Sequence, residues 1–365
     1  HERLVGSEMC IRDRFLEALL SPALSYWSGR QRFEYRYRIL VCVTILQALM
    51  NPIASLVLIR MNGGTAMMRI LGIVGVQICI CVPIIVFQFC KGKEFFSKEY
   101  WGYALRIGIP IVPHYLSGII LNQGDRIMID KMVGKTEVAL YGLAYSIGML
   151  VQLFISGMNS ALTPWMYSKI KKGDIRSMRK VLQLLSVVVV GIAVALMLIS
   201  PELVLIFGSP KYREAVYVIP PVAASVFFIF IYNILSMPQF YYEKTQFLMA
   251  ASMAAAGANV VLNFIFIRLF GYIAAGYTTL ACYMLYSVGH YIVSKRILVN
   301  EGIQENLMNP GFLLACSVFL IGASIICNLI FPYRILRYAI LLASAGLVFW
   351  KKELLLKTMA DIRKK

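Results

Sequence analysis

SVVVVGIAVALML, residues 186–198, is apolar on every face and lies within a charge-free run that extends over 181–201. A helix on a soluble protein keeps one apolar stripe, and a half-buried strand alternates; this stretch does neither. Crossing a hydrocarbon core of about 30 Å takes about 20 apolar residues in helical form, and the run has that length. The pattern repeats on both sides. The runs 39–59, 70–90, 245–267 and 269–294 also have spanning length, and 107–124, 138–168, 215–242 and 306–333 are charge-free, some of them long enough to include interfacial turns. A shorter tenth segment, 338–350, is extended by Ile335, Leu336 and a snorkelling Arg337. The reading is an all-α polytopic membrane protein with about ten transmembrane helices. A closed barrel, the other spanning solution, needs segments of roughly ten residues alternating polar and apolar, and runs of this kind exclude it.

Composition agrees with lipid as the main solvent: 59% of residues are hydrophobic and only 15% charged. The 36 basic residues against 18 acidic ones would suggest nucleic acid in a soluble chain, but here they sort by side of the membrane. One side takes Arg30, Arg32, Arg36, Arg38, Lys91, Lys93, Lys98, Arg106, the 169–180 cluster, Lys244, Lys295, Arg296 and the six cations of 351–365. The other takes Arg60, Arg69, Arg126, Lys131, Lys135, Lys211, Arg213, Arg268, Arg334 and Arg337, and is outnumbered by more than two to one. By the positive-inside rule the first side is cytoplasmic. Ten spans then put both ends of the chain inside, with the basic tail at the membrane surface, and no nucleic acid is needed.

Metal and redox chemistry find little support. The cysteines after Cys10 (Cys42, Cys79, Cys81, Cys90, Cys282, Cys316, Cys327) fall within or at the edge of spans, without metal-ligand spacing, and read as small buried apolar residues. His114 and His290 sit alone in different spans and read as satisfied interior histidines. No metal and no cofactor is expected. Residues 1–14, HERLVGSEMCIRDR, show neither a signal-peptide core nor helical periodicity and read as non-native sequence. The apolar stub 15–27 then reads as the end of an earlier span.

Polar residues inside spans cost free energy in hydrocarbon and survive best facing a partner or a wet cavity. They cluster here. The run from 107 carries Pro110, Pro113, His114, Ser117, Asn122 and Gln123 and leads into GDRIMIDKMVG, 124–134; the next carries Tyr141, Tyr145, Ser146, Gln152, Asn159, Thr163 and Pro164. Asn233 and Gln239 follow, then Asn259 and Asn263, whose i, i+4 spacing puts both amides on one helix face. Plainer readings stand beside these: amides bonding a neighbouring helix, Asp125 and Arg126 as an interfacial helix end, and AASMAAAG (250–257) as a close-packing surface. The pairs Pro110/Pro113 and Pro220/Pro221 are expected to bend or break spans.

Several stretches, in order, carry a family resemblance: RFEYRYR (32–38), EYWGYALRIGIPIVPHYLSGIILNQGDRIMIDKMVG (99–134), LYGLAYSIGMLVQL (140–153) with ALTPW (161–165), PELVLIFGSPKYREAVYVIPPV (201–222) and FGYIAAGYTTL (270–280). The chain resembles the bacterial oligosaccharide and O-antigen flippases of the multidrug/oligosaccharidyl-lipid/polysaccharide exporter superfamily. That resemblance implies a transporter of 12–14 helices in two six-helix lobes around a central cavity. On that map 15–95 ends the first lobe with two complete spans, 96–297 is the whole second lobe, and 298–365 is an extra helix pair with a basic tail. The chain is then an N-terminally truncated fragment.

The implied activity is transfer of an undecaprenyl-diphosphate-linked oligosaccharide from the inner to the outer leaflet of the bacterial cytoplasmic membrane. Expected partners are that lipid-linked glycan, membrane lipids and other membrane proteins of polysaccharide assembly. A diphosphate-linked glycan loses its hydration in bare hydrocarbon, so the carrier must offer amides, hydroxyls, ring faces and cations in alternating access. Asn122, Gln123, Asn159, Asn233, Asn259 and Asn263 supply amides, Tyr115, Tyr141, Tyr145 and Tyr232 supply rings, and His114 joins them. Arg126 is the first choice for the diphosphate because its planar fork pairs with phosphate oxygens. Asp125 orients it or couples to a cation, and Lys244 is a second phosphate candidate. Two other classes remain open. A drug/cation antiporter of the same superfamily would depend on an acid such as Asp125. A membrane-embedded polymerase or acyltransferase would need paired carboxylates or a histidine in a sizeable loop, and the loops near 91–106 and 169–180 are short, basic and free of histidine.

Overall fold

The computed structural model describes residues 2–61, 66–94 and 96–350, with backbone only for 2–14, 16, 17, 66, 345 and 347–350. The basic residues of the tail lie outside the described residues. Twelve α-helices and one 3-10 segment account for most of the chain, and no strand occurs among the described residues. Seven helices are long and apolar enough to cross a membrane, or eight with one bent pair counted as a single span. That is fewer than the ten expected. The run 269–294 misses because its helix carries too many tyrosines, threonines and serines, and the segment ending at Trp350 is only 17 residues long.

The chain divides into two compact units, His1–Tyr103 and Ala104–Lys365. In the first, α1 (Glu2–Phe33), α2 (Tyr37–Met61) and α3 (Ala66–Gly92) pack together, with α3 against both others. α1 is continuous from Glu2 through the apolar stub. Residues 2–14, which lack helical periodicity, are nonetheless helical, since glutamate, leucine, methionine and arginine all tolerate helix. Where α3 crosses α2, Gly72 lies against the Ser55 backbone so closely that a Cβ would come within 2.6 Å of the Ser55 Cα. Small residues at such crossings let helix backbones approach in place of a hydrophobic driving force.

The second unit holds α4 (Lys98–Met132) from Ala104 onward, α5 (Lys135–Gly148), α6 (Leu150–Lys171), α7 (Ile175–Phe207), a 3-10 segment (Pro210–Val218), α8 (Ile219–Tyr241), α9 (Thr245–Phe270), α10 (Ala274–Asn300), α11 (Pro310–Ile330) and α12 (Arg334–Trp350). α8 is the central post. Every residue from 219 to 231 is buried, as expected for a helix apolar all round, and α5, α6, α7, α9, α10 and α11 pack around it. α5 and α6 meet at a bend of 40°. Gly148 at the bend lies so close to α8 that a Cβ would stand 2.7 Å from Val222 Cγ1.

One proline pair acts differently from expectation. Pro220 and Pro221 occupy the first turn of α8, where a missing N–H is an orphan anyway and the fixed φ suits a helix, so they start a span rather than break one. Pro110 and Pro113 lie inside α4 without ending it.

α11 packs on α7 and α8, and α12 on α7. Arg337 is not a snorkelling residue. It is 3% exposed and pairs in bidentate fashion with Glu202 of α7 at 2.9 Å and 2.9 Å, while its Nη1 also donates to the Leu198 carbonyl at 2.7 Å. Tyr338 adds a hydroxyl donor to Glu202 at 3.0 Å. The carboxylate and the Leu198 carbonyl engage both terminal nitrogens within the protein, while Nε is buried without a partner.

Candidate functional site

α4 sets two faces side by side. Ser117, Leu121, Asp125 and Ile129, four residues apart, are its buried stripe, and Asp125 takes a position that packing alone would give to an aliphatic side chain. One residue along, Gly118, Asn122 and Arg126 form the adjoining stripe and open onto a cavity. Helical periodicity thus turns two neighbouring charges, Asp125 and Arg126, in different directions.

Asp125 is fully buried. Its Oδ2 accepts from the Tyr141 hydroxyl at 2.6 Å and the Thr279 hydroxyl at 2.8 Å, and its Oδ1 accepts from the Asn263 amide at 2.5 Å. The same Asn263 amide also donates to Asn259 Oδ1 at 3.1 Å, and Thr278 donates to Asn263 Oδ1. The amide nitrogen of Asn259 is buried without a partner. A carboxyl inside a membrane protein is thereby surrounded by hydroxyl and amide groups from α4, α5, α9 and α10, with no guanidinium or ammonium bonded to it among the described residues. These groups donate to the carboxylate and satisfy it within the protein; the two hydroxyls can accept as well as donate, so they can turn to accommodate a proton or a small cation at the carboxyl. No group of three His, Cys, Asp or Glu that could hold a metal occurs among the described residues.

The cavity beside this cluster has a volume of about 730 Å³ and is walled by α4, α5, α8 and α10. Arg126 Nη1 donates to Gln123 Oε1 at 2.9 Å, and its guanidinium carbon lies 5.2 Å from the Tyr145 ring centroid, a cation–π distance. Its Nε is buried without a hydrogen-bond partner, and Arg126 makes no ion pair among the described residues. Asn122 Oδ1 accepts from the Tyr145 hydroxyl at 2.7 Å and the Tyr283 hydroxyl at 3.2 Å. Opposite stands an aromatic wall: Tyr232 is parallel to Tyr283 at 6.2 Å and lies 4.4 Å from Tyr286. His114 Nδ1 bonds Ser252 Oγ at 2.5 Å and the Tyr286 hydroxyl at 3.0 Å, tying α4 to α9 and α10.

The sequence-predicted residues fall into three groups. His114, Tyr115, Asn122, Gln123, Arg126, Tyr145, Tyr232 and Asn233 line the one cavity. Asp125, Tyr141, Asn259 and Asn263 do not. They close on each other behind its wall, each fully buried, because four mutually bonding polar groups are better satisfied together than separately. The reading of Asp125 and Arg126 as a helix end fails, since α4 continues to Met132. Asn159 sits on α6 away from the cavity lining, and Lys244 is an exposed residue at the α8–α9 turn. His290, read as a satisfied interior histidine, bonds Gln239 at 2.8 Å through Nδ1, while its Nε2 has no partner.

Sequence reasoning missed Ser252, Thr278, Thr279, Tyr283 and Tyr286. The signal was there in α10, whose Thr279, Tyr283, Tyr286, His290 and Ser294 recur every three or four residues and form one buried polar stripe. Read as a charge-free span, that helix showed no charge and so drew no attention.

A family model described as Polysaccharide biosynthesis protein matches residues 25–171, and one described as MatE matches 110–265. Protein 1 of the Lsg locus of Haemophilus influenzae is 28% identical over 172 residues, covering 44% of this chain and 41% of that protein. The chain thus spans about two fifths of the length of this curated relative. Among solved structures, an outward-facing multidrug resistance MATE family transporter of the MOP superfamily superposes with a TM-score of 0.56 at 15% identity, over 72% of this chain and 63% of that one. The lipid II flippase MurJ in an inward closed conformation gives a TM-score of 0.54 at 13% identity, over 85% and 68%. At these identities the likeness establishes the fold alone, a MATE-like bundle of membrane helices.

Proposed function

We propose that this chain, a member of the multidrug/oligosaccharidyl-lipid/polysaccharide exporter superfamily, serves a flippase that carries an undecaprenyl-diphosphate-linked oligosaccharide across the bacterial cytoplasmic membrane. The observation that carries the reading is Arg126, a cation without an ion-pair partner and with a free Nε, facing a cavity of amides and tyrosine rings. Its Nη1 is engaged by Gln123 and its Nε is buried without a partner, so the guanidinium lacks an acceptor that phosphate oxygens would supply once the side chain turns toward the cavity. Asn122, Gln123 and Asn233 exchange hydrogen bonds with sugar hydroxyls, and Tyr115 and Tyr232, the more exposed rings of the lining, offer faces to sugar C–H groups. The lipid tail stays in the bilayer, where it loses no hydration by moving. Asp125 and its cage couple the cycle to a cation or proton, and the basic loops face the cytoplasm.

The test is deletion of the complete gene and complementation with the full-length protein carrying Arg126→Ala or Arg126→Lys. Lipid-linked oligosaccharide accumulates in the inner leaflet with Arg126→Ala and less so with Arg126→Lys, which keeps the charge but not the fork. Unchanged surface glycan with Arg126→Ala would remove the reading. The antiporter reading draws on Asp125 in its oxygen cage, and it predicts that deletion raises drug sensitivity while leaving the leaflet distribution of the glycan lipid unaltered.

A further inference from the structure

A second groove, of about 470 Å³, opens where α7 ends, the 3-10 segment passes and α11 turns into α12. Its lower walls are apolar: Val204, Leu205, Val216 and Phe331. At its rim stand Arg213 and Glu214, both exposed and neither in an ion pair among the described residues. Adjacent residues on a helix do not face each other, which is why these opposite charges stay apart. The level of the groove follows from the helix ends. α7 stops at Phe207, α8 starts at Ile219, α11 stops at Ile330 and α12 starts at Arg334, so the rim lies where spans leave the hydrocarbon. Pro210–Tyr241 together number 32 residues, more than the roughly 20 a crossing needs, which leaves the 3-10 segment at headgroup depth.

We propose that this groove is a binding site for a zwitterionic phospholipid bearing a primary amine, a phosphatidylethanolamine of the surrounding bilayer. The match is one of charge complementarity. The lipid phosphate pairs with the Arg213 guanidinium, and the ammonium a few atoms further along donates to the Glu214 carboxylate. An acyl chain covers the apolar wall below, including Leu205, which is 54% exposed. An anionic lipid would satisfy Arg213 and set its own charge against Glu214. A choline lipid would bring positive charge but no N–H donor.

Lipid retention on the full-length protein tests this, read by native mass spectrometry after exchange into mixed micelles of one competing pair at a time. The wild type retains phosphatidylethanolamine about tenfold over phosphatidylcholine, the factor expected of one charge-assisted hydrogen bond. Retention falls stepwise through the N-methyl and N,N-dimethyl lipids, a series that requires no variant. Glu214→Gln brings the ethanolamine lipid down to the choline level, and Arg213→Gln weakens both. Equal retention of ethanolamine and choline lipids by the wild type overturns the proposal. So does a preference for phosphatidylglycerol, which would make this an anion site built on Arg213 alone, or a preference that survives Glu214→Gln.

Discussion

At the scale of the residue, Asp125 and Arg126 divide the work of the site because one helical step separates a buried face from a cavity face. Asp125→Ala deprives Tyr141, Thr279 and Asn263 of their shared acceptor, and each buried donor left unpaired costs about 1–3 kcal/mol. Its thermal midpoint in detergent falls accordingly. Asp125→Asn behaves differently, because its oxygen still accepts from Asn263 and its amide donates to hydroxyls that accept as readily as they donate. That variant stays within about 1 kcal/mol of wild type but loses its charge, so any dependence of transport on a sodium or proton gradient disappears while the fold remains. A gradient dependence unchanged in Asp125→Asn would show that the acid is structural. The cavity residues of α4 and α8 were legible in the sequence because amides and a cation inside apolar runs are conspicuous. Which of them faced water was not, since Asn259 and Asn263 look the same in one dimension whether they line a cavity or bond a buried acid. Only the position of Asp125, set by packing across four helices, decides it.

At the scale of the element, the unit depends on two close contacts against α7 and α8. A Cβ on Gly148 would stand 2.7 Å and 2.9 Å from two carbons of Val222, so Gly148→Ala forces the α5–α6 bend away from α8. Overpacking of this kind costs about 1–3 kcal/mol, and because Tyr145 lies one turn before the bend, transport falls along with the thermal midpoint. Val222→Ala in the same chain relieves the clash and recovers part of both. Arg337→Met tests the other contact. It leaves Glu202 without its partner, a loss worth about 3 kcal/mol when a largely buried pair is broken from one side; Glu202 is a quarter exposed, which places the effect toward the low end. The double variant Glu202→Gln with Arg337→Met is more stable than Arg337→Met alone, because no uncompensated carboxylate remains. Accelerated proteolysis of the α11–α12 connection reports the release of α12. The spans themselves were readable from apolar length, but α12 was not placed by its sequence. An arginine near a helix end fits snorkelling equally well until Glu202, more than a hundred residues earlier, is seen beside it.

At the scale of the whole molecule, the basic loops bear on orientation. The α6–α7 connection and start of α7 expose Lys171, Lys172, Arg176 and Lys180, and the end of α10 exposes Lys295 and Arg296. The opposite side exposes Lys131 and Lys135 at the α4–α5 turn, Lys211 and Arg213 in the 3-10 segment, Arg268 at the end of α9 and Arg334 at the start of α12, singly or in pairs rather than as a cluster. Translocating a positive charge against the membrane potential costs about 2.3 kcal/mol per 100 mV, and anionic lipid headgroups on the cytoplasmic side attract the same charges. In the proposed orientation, both effects act to keep the first set inside. In a full-length protein stripped of native cysteines, Lys172→Cys therefore resists a membrane-impermeant maleimide in intact cells and reacts after permeabilisation, whereas Lys211→Cys reacts without it. A reversed pattern would turn the molecule over, and the consequence reaches the site itself. α4 would then present Arg126 on the cytoplasmic half of its span, where a diphosphate lipid is loaded, instead of on the outer half, where it is held until release. The same labelling thus fixes the step of the cycle at which Arg126 meets its phosphate. With the loops inside, that step falls after the cavity has turned outward, and Arg126→Ala weakens capture of the diphosphate in the outward state more than loading from the cytoplasmic leaflet.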